Sequence, residues 1–79
     1  MTDDTDIRKN WQRGSIPQQY MLTSGVCQGR VWYLPFSQEW TAVISQANVV
    51  VSYNFFKNLV EAQIWCEGRL AELQARGKC

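Results

Sequence analysis

At 79 residues the chain is one small domain, and a unit of this length buries only about 60% of its unfolded surface, too little core for a deep catalytic cleft. Eight Lys and Arg against seven Asp and Glu leave a formal charge of +1, so no strong field steers the protein to nucleic acid or anionic lipid. Histidine is absent, which removes the commonest general base and the commonest metal ligand.

Residues 1–15 are polar and hold most of the aspartate, including Asp3, Asp4 and Asp6; they read as a flexible tail with Trp11 able to dock on the body. The acidic start lacks the apolar region of a secretory signal. No apolar run approaches the ~20 residues of a membrane span. Residues 16–79 read as a single small α+β domain. Pro17 pushes Ile16 towards extended backbone, and Tyr20-Met21-Leu22-Thr23 reads as a short strand ended by Ser24-Gly25.

Three clearer strands follow: Val31-Trp32-Tyr33-Leu34-Pro35-Phe36, Trp40-Thr41-Ala42-Val43-Ile44-Ser45 and Val49-Val50-Val51-Ser52-Tyr53. The connections at 37–39 and 46–48 suit hairpins, which predicts a three- or four-stranded antiparallel β-meander. From Asn58 the period changes. Asn58 is placed as an N-cap with Glu61 three residues on. Leu59, Ala62, Cys66, Leu70 and Leu73 then recur at helical spacing, with Gly77 as the stop. A C-terminal helix over 59–76 is therefore expected to pack on one sheet face. Taking the bulkier residues inward places Trp32, Leu34, Phe36, Trp40, Ala42, Ile44, Val49 and Val51 beneath the helix. Val31, Tyr33, Thr41, Val43, Val50 and Ser52 are then left on the other face, which is apolar for a solvated surface.

No catalytic constellation is present. Cys27, Cys66 and Cys79 are odd in number and widely spaced, and read as reduced thiols of a cytoplasmic protein, neither a disulfide framework nor a zinc site. Cys66 sits on the apolar helix stripe and reads as core, while Cys27, beside Gly25 and Gly29, reads as a loop residue that could be exposed. No cofactor motif is found: Gly25-Val26-Cys27-Gln28-Gly29 lacks the Lys-Ser/Thr of a phosphate loop, and the Asp cluster lacks the glycine and distal Glu of a calcium loop.

Trp40-Thr41-Ala42-Val43-Ile44, a turn, the valine strand, Phe55 or Phe56, then Val60-Glu61-Ala62-Gln63-Ile64-Trp65 resembles the three-stranded-sheet-plus-helix domains of plant ethylene-response factors and the arm-binding domains of phage-type integrases, over residues 30–75. The resemblance implies the same fold and DNA binding through the sheet. Those families carry several basic residues there, whereas these strands carry only Arg30.

The expectation is a small non-enzymatic protein-interaction module, an adaptor or inhibitor of bacterial or phage type. It would bind a protein partner or a second copy through Val31, Tyr33, Val43 and Val50. The alternative is a nucleic-acid-binding protein using the sheet, with Arg8, Lys9, Arg13 and Arg30 on phosphates.

Overall fold

The computed structural model describes residues 10–79. Its chain runs β1 (Gln12–Arg13), β2 (Gln19–Ser24), β3 (Cys27–Leu34), β4 (Glu39–Gln46), β5 (Val49–Phe56) and α1 (Leu59–Ala75). The five strands form one antiparallel sheet in sequential order, a meander with one more strand than expected at most. Turn chemistry explains the tight hairpins. Gly25, at φ +60°, opens the β2–β3 turn, and Ala47 and Asn48, at φ 50° and 69°, make the left-handed pair of a two-residue β4–β5 turn. The Ala47 N–H donates to the Val26 carbonyl at 2.9 Å, tying the two turns together at one end of the sheet.

The helix begins as its sequence requires. Asn58 is extended, and its Oδ1 accepts from the Glu61 N–H at 2.9 Å, satisfying a donor that the helix cannot. At the other end Gly77 takes φ +73°, its N–H bonds the Gln74 carbonyl, and the Lys78 N–H reaches back to Leu73 at 2.9 Å. That is the Schellman arrangement, and it reverses the chain towards the sheet. Gln46 Nε2 then donates to the Lys78 carbonyl at 3.0 Å, and Cys79 is joined to Cys27 by a disulfide. Gly25 is the residue that admits this approach, since a Cβ there would lie 2.8 Å from the Cys79 carbonyl carbon.

The core lies between α1 and the sheet. Trp11, Tyr20, Cys27, Val31, Ala42, Ile44, Ala62, Cys66 and Leu70 are buried together, with Trp40, Phe56, Leu59 and Trp65 packed around them. Trp40 lies 5.3 Å from the Tyr33 ring and Phe56 lies 5.9 Å from Trp65, centroid to centroid. The helix stripe and the inward face of β4 are as expected from the sequence.

Several expectations are corrected. Trp11 is buried and Gln12–Arg13 pairs with β2, so the ordered sheet begins inside the stretch read as tail. The face of β3 is inverted. Val31 pairs with Ala42 and Tyr33 with Trp40, so both lie on the helix side, while Arg30 and Trp32 alternate outward. Phe36 is fully exposed in the turn after β3. On β5, Ser52 faces the helix and accepts from Arg69 at 3.1 Å, whereas Val49 and Val51 are exposed and outside the core. A bulge between Ile44 and Ser45 leaves Val51 as the extra residue and sets Val50 opposite Ser45, on the open face as expected. Cys27 is a fully buried strand residue in a disulfide, not an exposed loop thiol.

The disulfide closes a sequence separation of 52 residues. On the chain-entropy account such a loop contributes about 4 kcal/mol by restricting the unfolded chain. Cys79→Ser, or reduction of the wild type, is expected to lower unfolding stability by that order in urea titrations. A midpoint indifferent to reductant would contradict the role given to this bridge.

Candidate functional site

The sheet face opposite α1 is the candidate site, and register alone orders its residues. One cross-strand row reads Gln12, Met21, Arg30, Val43, Tyr53; a second reads Thr23, Gln28, Ser45, Val50; a third reads Gln19, Trp32, Thr41, Phe55. Among the described residues no helix or further strand lies over these rows. Thr41, Val43 and Ser45 are nonetheless buried, because the central strand is flanked on both sides by larger side chains. On β5 the same face is open: Val50, Val51, Tyr53 and Phe55 are all exposed, Tyr53 at 67%. Tyr53 and Phe55 meet edge to face at 6.1 Å, which makes them one rigid aromatic ridge.

β5 is also an open edge. The two-residue β1 lies at one side of the sheet and β5 at the other, with its outer N–H and C=O groups unpaired by any strand among the described residues. Val49-Val50-Val51-Ser52-Tyr53-Asn54-Phe55-Phe56 contains no charged residue. The inward charges and Pro that usually guard such an edge are missing, although the bulge twists it locally.

At the turn end of the same face lies a recess of about 240 Å³, lined by Thr23, Gly25, Val26, Cys27, Gln28, Arg30, Ser45 and Asn48. It is polar where the β5 ridge is apolar. Arg30 has no carboxylate partner among the described residues, and its Nε is sealed from water without a hydrogen-bond acceptor. An orphaned buried donor of this kind costs about 1–3 kcal/mol.

The residues singled out from the sequence divide between the two sides. Val43 and Val50 lie on the open face, whereas Val31 is fully buried beneath the helix and Tyr33 packs on Trp40. Arg30 is on the open face, but Arg13 shares the Tyr20 side, with its guanidinium 5.8 Å from that ring's centroid. Arg8 and Lys9 lie outside the described residues. Tyr53, Phe55 and Trp32 were not singled out for the face. The signal for the first two was present in the Tyr-x-Phe alternation after the valines, while Trp32 was hidden by the wrong parity on β3.

The remaining polar features belong to the helix side. Trp11 Nε1 donates to Glu67 Oε2 at 2.8 Å, which anchors the Trp11 side chain on α1. Gln63 is fully buried with both amide atoms unbonded. Among the described residues no group of three or more His, Cys, Asp or Glu is placed to hold a metal, and no helix is long and apolar enough to cross a membrane. No protein-family model, curated protein or solved structure matches the chain.

Cys66 is the free thiol, fully buried between α1 and the sheet. Burial pushes its pKa up to about 12, and the neighbouring Glu67 carboxylate adds to the rise. The reactive thiolate is thus suppressed at any ordinary pH. Iodoacetamide at pH 8 is expected to leave Cys66 unmodified in the folded protein and to alkylate it in urea. Rapid modification under native conditions would contradict its place in the core.

Proposed function

We propose that the protein is a small non-enzymatic protein-interaction module that binds through the open sheet face and the β5 edge. One observation carries this reading: an uncharged eight-residue edge strand whose outward side chains, Val50, Val51, Tyr53 and Phe55, stand exposed beside the half-buried Trp32 and the Val43 row. Contiguous apolar surface of this kind marks contact with another macromolecule. An unpaired edge adds backbone donors and acceptors that an extended segment of a partner satisfies by strand addition.

A second copy is the self-complementary form of the same idea. Two β5 strands paired antiparallel about a two-fold axis would join both edges without opposing like charges. The nucleic-acid alternative draws less support, since Arg13 and Arg30 point to opposite sides of the sheet. The Cys27–Cys79 disulfide favours an oxidising compartment over the cytoplasm expected from reduced thiols.

A random peptide library displayed on phage and panned against the immobilised full chain tests the module. Selected peptides are expected to lose binding to a Tyr53→Lys/Phe55→Lys variant whose melting temperature stays near wild type, both side chains being exposed. Binders that hold equally well to that variant, or no binders at all, would contradict the reading. Sedimentation equilibrium checks the second copy: mass rising above 9.2 kDa with concentration supports it, and a constant 9.2 kDa species removes it.

A further inference from the structure

We propose that the recess between the β2–β3 and β4–β5 turns is a carboxylate-binding site, and that the carboxylate it takes is an acidic side chain of the protein partner. This rests on the interaction reading above and adds the partner's chemistry to it. The site has one fixed cation and several neutral donors. Arg30 stands at the middle of the sheet, paired across to Met21 and Val43, and lines the recess from below. Thr23, Gln28 and Ser45 come from the adjoining row and Asn48 from the turn above, so hydroxyl and amide groups surround the space into which the guanidinium contributes. Ser45 is itself buried. Arg30 lines the recess half-buried and has no counter-ion among the described residues, and a bound anion supplies the compensating charge.

Charge and size select the anion. One guanidinium balances the single negative charge of a carboxylate and matches its two oxygens with a planar fork. A phosphate dianion would meet one cation and neutral donors only, because among the described residues no Lys or second Arg lines the recess. The volume, about 240 Å³, lies below the span of ligand pockets that enclose whole small molecules and suits the end of a side chain. Position selects the source. Val50 lies in the same row as Thr23, Gln28 and Ser45, so a segment with its carboxylate over Arg30 carries its neighbouring residues directly onto the Val50, Tyr53 and Phe55 ridge. The partner segment is therefore extended, with an acidic residue beside apolar ones.

Two measurements on the full chain test this. In NMR titrations, acetate is expected to shift the signals of Thr23, Gln28, Arg30, Ser45 and Asn48 saturably, and Arg30→Gln, with an unchanged melt, is expected to weaken that binding about tenfold or more. Inorganic phosphate binding the same residues more tightly than acetate would overturn the carboxylate assignment, as would silence towards both. Peptides panned against wild type are expected to be enriched in Asp or Glu at one position, and those panned against Arg30→Gln are not. Face-binding peptides with no acidic position would overturn this inference while leaving the interaction reading intact; acetate binding with no selectable peptide would overturn the interaction reading and the partner assignment with it. If Asp3→Asn/Asp4→Asn/Asp6→Asn by itself shifts the Arg30 signals, the occupant is this chain's own acidic segment and the partner assignment fails.

Discussion

The close approach of α1 to Gly29 sets the rest of the structure. A Cβ at Gly29 would lie 3.3 Å from Cys66 Cβ and 3.4 Å from both Ile44 Cδ1 and Leu70 Cδ1, so the helix is seated where β3 presents no side chain. Strand parity does the remainder. With Gly29 inward, Cys27 and Val31 must also face the helix, and Gln28, Arg30 and Trp32 must face away. One contact thus sorts β3 into a core edge that carries the disulfide and an outer edge that carries the recess arginine. The neighbouring strands follow through their registers, which is why Arg30, Val43 and Tyr53 fall in one row.

The same contact explains what was legible beforehand. On β4 the choice was clear, since Trp40, Ala42 and Ile44 are apolar and alternate with Thr41 and Ser45. The helix stripe was equally clear from its spacing and from Asn58. On β3 the two parities are almost equally apolar, Val31 and Tyr33 against Trp32 and Leu34. Choosing by bulk favoured the larger pair, but the space under a closely seated helix is small, and Gly29 is the residue that reports it. On β5 the departures are Ser52, which faces the helix, and Val51, the extra residue of a bulge that nothing in three successive valines locates. The two residues of β1 are polar and show no apolar alternation, so Trp11 was their one signal.

The disulfide was hidden for a different reason. Its cysteines are 52 residues apart, and spacing rules speak only to neighbours. What brings them together is local at each end: a helix stop at Gly77 that turns the chain back, and a turn at Gly25 with no Cβ to obstruct it. A small domain whose core cluster holds nine buried residues among those described gains much from such a bridge, because its core alone offers little margin. The open face is the complement of that economy. One helix covers one side of a five-stranded sheet, and among the described residues nothing covers the other.

The most direct test of this arrangement is the sign of the stability change on Gly29→Val, measured by urea unfolding. Strand propensity alone favours valine over glycine by up to about 1 kcal/mol. Overpacking against Cys66, Ile44 and Leu70 acts the other way and costs typically about 1–3 kcal/mol. The account predicts a net loss of stability. A variant as stable as wild type, or more so, would show that the helix is not seated on Gly29, and the division of the sheet into covered and open faces would fall with it.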